Sequence, residues 1–466
     1  MRKLDLLKIS GKGVLPLFEG GKGISITNGE SAGAWAATGG IGTFSGVNAD
    51  SYDEDGNFIS QIYKGKTRNE RHRELIDYAV NGSVYQAKKA YETSNGEGRI
   101  HMNILWEMAA AQEILTKVLE KAKGLIHGVT CGAGMPYKLS EICSKFGVYY
   151  YPIISSSRAF NALWKRAYHK FRDFLGAVVY EDPWRAGGHN GLSNSEDPKK
   201  PEDPYPRIKQ LRETMNAFKL NDVPIVIAGG VWYLRDWEEW ISDPKISPVA
   251  FQFGTRTLLT KESPISNAWK KILSTLKKGD VTLHRFSPTG FYSSAVRNNF
   301  IKELEGRSDR QIAYTQDLIG EHNVPFENRS NRKVFFITSA DKKIADEWVK
   351  AGFTEAMATP ESTLIFVDPA KAKSIRTDQI NCMGCLSACK FSNWSQNEPH
   401  TTGKKADPRS FCIQKTLQSI THDCKDLTEE LMFAGHAVYK FSEDPFYKNN
   451  FIPTVKQLVK RILTGD

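Results

Sequence analysis

Short runs of apolar residues alternate with longer stretches whose apolar positions recur at helical spacing. Strand candidates fall at Gly23–Thr27, Gly42–Ser45, Arg99–Leu105, Leu125–Thr130, Val148–Ser155, Leu175–Glu181, Val223–Ala228 and Val249–Phe253. Helix candidates follow each of them: Ser31–Thr38, Glu70–Tyr91, Trp106–Lys123, Tyr137–Phe146, Arg158–Phe171, Tyr205–Phe218, Leu234–Ile241 and Pro264–Lys277. Runs such as "VPIVIA" and "GAVVY" are almost wholly apolar, as expected of parallel strands covered on both faces. Eight strand–helix units closing on themselves make an α/β fold of the (β/α)8 TIM-barrel type. Catalytic groups then belong just after the strand C-termini. A doubly wound open sheet shares the local pattern, but eight units is the barrel's number.

Beyond the eighth helix the pattern loosens. Arg297–Arg329 reads as charged and helical, and Lys333–Pro369 as a small β-α-β patch. Ser392–Ser410, polar and carrying Pro399 and Pro408, reads as a loop. The last segment, "FIPTVKQLVKRILTG", returns to helical spacing, with Pro453 suited to a first turn. The expected division is a barrel over 1–300, an insertion with a small α/β patch and a cysteine cluster over 301–430, and a helical segment over 431–466 packing back on the barrel.

Composition narrows the class. The chain of 466 residues is 40% hydrophobic and 25% charged, which excludes disorder, collagen and coiled coil as its main organisation. No apolar run approaches the ~20 residues of a membrane span, and Met1–Ser10 lacks the apolar block of a secretory signal. The expectation is a cytoplasmic protein with no membrane partner. The net charge of +10 is spread without a dense basic run, so no nucleic-acid partner is expected and a small phosphorylated ligand would use the surplus equally well. An odd count of seven cysteines, five of them within Cys382–Cys424, argues against a disulfide framework and for a metal or cluster.

Two glycine turns carry the first candidate chemistry. Gly229 and Gly230 follow the seventh strand, and Gly254 and Thr255 follow the eighth. In a barrel these two loops commonly hold a phosphate, because glycine lets backbone N–H groups approach the anion. FMN, NAD(P) and sugar phosphates all qualify. After the sixth strand, "EDPWRAGGHNG" places Gly187, Gly188 and His189 at the barrel mouth, and imidazole is the usual proton-transfer group near neutral pH. His101, His127 and Cys131 read as packing or hydrogen-bonded residues, "SSSR" (Ser155–Arg158) as a cap of the fifth helix, and His436 as structural by default.

Ordered blocks then carry a family resemblance: "GGKGISITNGESAGAWAATGGIGTFSG", "HMNIL", "VTCGAGMP", "PIISS", "RAGGHNG", "VPIVIAGGV", "FQFGTR", "SPTGFYSSAVRNNFIKELE" and "MFAGHAVYKF". Over about 15–310 and 430–466 the chain resembles the nitronate monooxygenase (2-nitropropane dioxygenase-like) family of FMN-dependent barrels. The resemblance implies FMN across the barrel mouth. Asn103, Gly187 and Gly188 would lie along its ring or ribityl chain, Gly229, Gly230, Gly254 and Thr255 would hold its phosphate, and His189 would be the base. It implies a monooxygenase oxidising alkyl nitronates or similar small carbanionic substrates. An NAD(P)H-dependent FMN enoyl-thioester reductase shares the "AGGH" pattern and is the alternative; a homo-oligomer and a non-catalytic binding role stay open. "ISITNG" departs from the family's usual first strand, Asn48–Asn95 enlarges the second unit, and Asn331–Asp423 has no counterpart.

Finally, "CMGCLSACKF" sets Cys382, Cys385 and Cys389 at turn-compatible spacing, with Cys412 further on. Three close thiols and a distant fourth are how iron–sulfur clusters and some zinc sites are held. The run resembles the cluster motif of 2,4-dienoyl-CoA reductase-type flavoenzymes. Iron–sulfur, zinc and free thiols are the alternatives, with Cys412 or Cys424 as the fourth ligand.

Overall fold

The computed structural model describes residues 4–327, 334–396, 401–422 and 426–465. Eight parallel strands close into a barrel: β1 (Leu17–Glu19), β2 (Ile41–Ser45), β3 (Arg99–Leu105), β4 (Gly128–Gly132), β5 (Tyr149–Ile154), β6 (Val178–Glu181), β7 (Ile225–Ala228) and β8 (Val249–Phe253). Each pairs with the next, and β8 pairs back onto β1 with Phe251 opposite Leu17. The helices between them are α1 (Gly29–Ala36), α2 (Arg68–Ser94), α3 (Ala111–Lys121), α4 (Leu139–Lys145), α5 (Ser157–Arg166), α6 (Pro204–Ala217), α7 (Glu238–Ile241) and α8 (Asn267–Leu273). The alternation of apolar strands and amphipathic helices therefore resolves as the (β/α)8 barrel and not as an open sheet.

Strand composition explains the closure. Inward-facing Phe18, Ile41, Tyr151, Val179, Val226 and Ala250 fill the barrel interior. An N-terminal hairpin (Leu7–Ile9 with Lys12–Val14) joins this cluster through Ile9 and Val14. Ser10 at its turn hydrogen-bonds His101 Nε2 at 2.9 Å and the Tyr151 hydroxyl at 2.6 Å. His101 and His127 are thus bonded core residues, the latter accepting from the Ile100 N–H. Ser156 caps α5 by accepting from the Ala159 N–H, and Cys131 is fully buried on β4.

The first strand differs from expectation. Gly23–Thr27 is a turn, closed by Thr27 N–H to the Lys22 carbonyl at 3.1 Å and Lys22 N–H to Thr27 Oγ1 at 2.8 Å, and the strand is Leu17–Glu19. Ile24 and Ile26 are buried there, so their alternation mimics a strand while the backbone bonds to itself. Arg297–Arg329 also differs. Among its described residues only Asn299–Asp309 is helical; Gln311–Ala313 is a strand paired with Thr363–Val367, far along the chain, and Val324–Glu327 is a strand in a local hairpin with Val334–Ile337. These belong to a small α/β unit with its own core of Ile312, Phe335, Ile337, Ala345, Leu364 and Phe366.

The C-terminal residues return to the barrel. The Asp444 carboxylate, wholly buried, accepts from Arg256 Nη2 at 3.3 Å, Trp232 Nε1 at 3.2 Å and Arg461 Nη2 at 3.4 Å. Thr454, one residue after Pro453, caps the closing helix Val455–Thr464 in a reciprocal box with Gln457. No helix among the described residues is long and apolar enough to cross a membrane.

Candidate active site

The loops after β1, β3, β6, β7 and β8 enclose one cavity at the C-terminal mouth of the barrel, about 1410 Å³ counted out to its open side. His189, Asn103, Gly187, Gly188, Gly229, Gly230, Gly254 and Thr255 all line it. These residues are scattered over more than 150 positions of sequence, and the closed sheet brings their strand ends together.

Each is held for a local reason. Gly229 and Gly230 adopt φ of +90° and +80°, a region where a side chain is strained. At Gly187 a Cβ would stand 2.6 Å from the backbone of Ala434 and Gly435, so only glycine admits the C-terminal strap, Met432 to Ala437, there. Asn103 Oδ1 accepts from Thr130 Oγ1 at 3.1 Å, which fixes its amide. Thr255 Oγ1 accepts from the Gly435 N–H at 2.8 Å. Asp182 caps the turn that leads to His189, its Oδ1 accepting from the N–H groups of Trp184 and Arg185 at 2.9 and 3.0 Å.

His189 lies in a short strand, Gly188–His189, paired antiparallel with Ser293 and Ser294. Its Nε2 is 2.6 Å from Ser287 Oγ, which in turn is 2.9 Å from Thr289 Oγ1. The Phe433 ring meets it edge-on at 5.3 Å. Burial pushes the His189 imidazole down to about 4. It is therefore uncharged at neutral pH, with one ring nitrogen bearing a lone pair.

Sequence reading missed several wall residues. Glu181, the last residue of β6, is driven up to about 8 by burial and by its neighbour Asp182, so it is a neutral acid at pH 7. Lys22 lines the cavity beside Gly254 and Thr255, with Nζ 2.8 Å from Thr257 Oγ1 and 2.7 Å from the Gly20 carbonyl. Glu19 stands 3.9 Å from it; burial lowers the Lys22 ammonium and raises the Glu19 carboxyl. Lys22 stands one residue before the misplaced first strand, Gly23–Thr27, and Ser287 reaches His189 across 98 residues. Met432, Phe433 and Gly435 also line the cavity, as do Leu417 and Ile420. His436, whose N–H donates to the Arg185 carbonyl, helps hold that strap in place.

The cavity suits a phosphorylated planar cofactor. Two positive-φ glycines, the open face of Gly254, where a Cβ would meet nothing within 4 Å, and the Lys22 ammonium provide an anion-accepting end. Val47, Ile153, Leu417, Ile420 and Phe433 provide apolar walls.

Cys382, Cys385 and Cys389 are buried and Cys412 is half-buried, all as free thiols. Among the described residues no three His, Cys, Asp or Glu side chains are placed to hold a single metal ion. Cys424 lies outside the described residues.

The profile of the family described as nitronate monooxygenase matches residues 5–464. Among solved structures, FabK from Thermotoga maritima is 14% identical with a TM-score of 0.50, covering 98% of this chain and 93% of that one. The enoyl reductase domain of MlnA from the macrolactin biosynthesis cluster of Bacillus amyloliquefaciens is 11% identical with a TM-score of 0.51, covering 97% and 93%. At these identities the likeness is one of fold. No match is found among curated proteins.

Proposed function

The chain belongs to the nitronate monooxygenase family and is an oxidoreductase of the FMN type; from that premise we propose that it oxidises alkyl nitronates or similar carbanionic substrates, with His189 as the base. One observation carries the reading: a single cavity joins an anion-accepting glycine pair to an uncharged imidazole. Gly229, Gly230, Gly254 and Thr255 would hold the FMN phosphate, with Lys22 supplying charge, and Asn103, Gly187 and Gly188 would run along the ribityl chain and ring. Bound there, FMN supplies the electron acceptor.

The protein's own part is proton handling and positioning. Where the substrate arrives as the neutral nitroalkane, the ring nitrogen of His189 not engaged by Ser287 takes the proton from the carbon α to the nitro group and leaves the nitronate that is oxidised. Ser287, backed by Thr289, fixes the ring plane. Glu181, uncharged at neutral pH, offers an O–H donor to the oxygens of the anionic substrate and adds no repulsive charge. Phe433, Ile420 and Leu417 exclude water from the apolar side.

In the test, His189→Ala retains its yellow chromophore and loses about 10²–10⁴-fold in turnover on a neutral nitroalkane, whose α-proton the base must remove, with a smaller loss on the preformed nitronate. An unchanged rate removes His189 from the mechanism. The second reading, NAD(P)H-dependent reduction of an enoyl thioester, is favoured by the apolar wall of Val47, Ile153, Leu417, Ile420, Met432 and Phe433, which suits a long acyl chain. Anaerobic bleaching of the chromophore by NADPH faster than by any nitronate selects it.

A further inference from the structure

We propose that a second cavity, behind the wall of the barrel-mouth cavity and built around an Asp50–His422 pair, binds a small organic ammonium ion. It measures about 530 Å³ counted out to its open side, within the range of about 300–1,000 Å³ typical of small-molecule sites. No residue lines both cavities, yet two segments serve as walls to each. Lys22, Gly23 and Ile26 face the barrel mouth, while Ser25 and Asn28 of the same stretch line the second cavity. Likewise Ile420 lines the first, and Thr421 and His422 the second.

The buried wall leaves one polar atom over. Ser25, Asp50 and Gln86 are each at most 4% exposed. Gln86, on α2, uses both ends of its amide on backbone. Its Oε1 accepts from the Gly29 N–H at 2.6 Å, and its Nε2 donates to the Asp50 carbonyl at 2.7 Å. Ser25 Oγ accepts from the Asp50 N–H at 2.9 Å, and Asn28 Oδ1 accepts from the Ser31 N–H at 2.9 Å, capping α1. Asp50 Oδ2 lies 2.7 Å from His422 Nε2. Asp50 Oδ1 has no hydrogen-bond partner among the described residues. A buried carboxylate oxygen without a donor is costly, and a ligand N–H supplies the donor that the fold does not.

The rest of the lining selects the charge and shape of the ligand. No lysine or arginine is among the lining residues, and His422 is already engaged by the other carboxylate oxygen. The Phe58 ring stacks on His422 with centroids 3.8 Å apart and 14° between the planes, and Tyr52 stands 6.0 Å from Phe58. Burial, and then the Asp50 charge, push the Tyr52 phenol up to about 12, so it remains a neutral hydroxyl at pH 7. A carboxylate beside aromatic rings attracts an ammonium group twice, through a charge-assisted hydrogen bond and through the ring faces. Among the described residues no three His, Cys, Asp or Glu side chains are placed to hold a metal ion, so the cation that fits is an organic one. The site does not depend on which substrate the barrel-mouth cavity takes, nor on His189.

The experiment is isothermal titration calorimetry of the full-length, flavin-loaded protein with benzylammonium chloride at fixed ionic strength, with benzyl alcohol as the neutral isostere. The expected result is one benzylammonium per chain, bound about ten-fold or more tightly than the alcohol. Asp50→Asn should weaken benzylammonium about ten-fold or more with flavin content unchanged. Phe58→Ala should weaken it about three- to ten-fold. His189→Ala should bind it as the wild type does, which separates this site from the assignment of the base. No saturable heat up to about 10 mM, meaning that the cavity holds water alone, overturns the proposal. Equal affinity for the alcohol, or an affinity that both Asp50→Asn and Phe58→Ala leave unchanged, overturns it as well. Should Asp50→Asn fail to fold, the alcohol comparison and Phe58→Ala still decide.

Discussion

His189 and Glu181 share one cavity, and burial shifts them in opposite directions. The imidazole is held down to about 4 and the carboxyl up to about 8, because burial disfavours the charged form of each. Both are therefore uncharged between those values. The expected kcat/KM profile on a neutral nitroalkane is a plateau bounded by an acidic limb near 4, where His189 takes up a proton and ceases to be a base, and a basic limb near 8, where Glu181 loses one. Glu181→Gln, which keeps a neutral donor, should abolish the basic limb in a pH–rate series while retaining most of the plateau rate. A basic limb that survives in this variant assigns it to another group. Ser287→Ala should lower kcat more than it raises KM, since it frees the imidazole to rotate without removing a substrate contact.

Two glycines of the same cavity differ in what a methyl group would meet. At Gly187 it would collide with the backbone of Ala434 and Gly435 at 2.6 Å, whereas at Gly254, with φ −93°, it would meet nothing within 4 Å. Gly254→Ala should therefore fold with an unchanged melting temperature but bind FMN at least ten-fold more weakly, measured by fluorescence titration. Gly187→Ala should lose melting temperature as well, because the strap from Met432 to Ala437 must move. At the start of α2, Thr67 accepts from the Glu70 N–H at 3.2 Å while Glu70 returns a bond to the Thr67 N–H at 2.8 Å. Thr67→Ala should destabilise by about 0.5–2 kcal/mol in urea unfolding. The same turn carries Arg71, so loosening it also loosens the cysteine loop.

Over the whole molecule, two buried features set stability. Asp444 bonds Arg256, Arg461 and the Trp232 indole with no exposure of its own carboxylate. Asp444→Ala leaves Arg256 buried without its countercharge, and a loss of about 3–5 kcal/mol is expected in denaturant titration. The second feature is a set of buried histidines. His127, His189 and His284 are lowered to about 4, and His101 well below its usual value, chiefly by burial. Unfolded, each would bind a proton near 6.5. At these four sites the unfolded chain binds more protons than the folded one between about 6.5 and 4, so their contribution to stability falls as pH drops through that window. It outweighs the opposite contribution of the two most strongly raised carboxyls, Glu19 and Glu181. Melting temperatures should decline from about pH 6 to 4; a flat series there would show that these histidines titrate normally in the folded protein.

Much of this was written locally in the chain. Each β–α unit announces itself through an apolar strand and an amphipathic helix a few residues apart, so the barrel and its glycine turns at Gly229 and Gly254 were legible. The Gly23–Thr27 turn was not, because Ile24 and Ile26 alternate like a strand and only the bond from Thr27 back to Lys22 distinguishes the two. Nor were the strands Gln311–Ala313, which pairs with the distant Thr363–Val367, and Val324–Glu327, whose exposed, alternately half-buried residues become a strand only in the hairpin with Val334–Ile337. By itself the sequence determined the fold class and the residue types at the strand ends, since both follow from short-range periodicity and backbone sterics. Only the tertiary structure decided that Lys22, Glu181, Ser287 and Phe433 complete the cavity, and that His189 is uncharged at neutral pH. Proximity across the chain and removal from water arise only when the sheet closes, and these two set the site's chemistry.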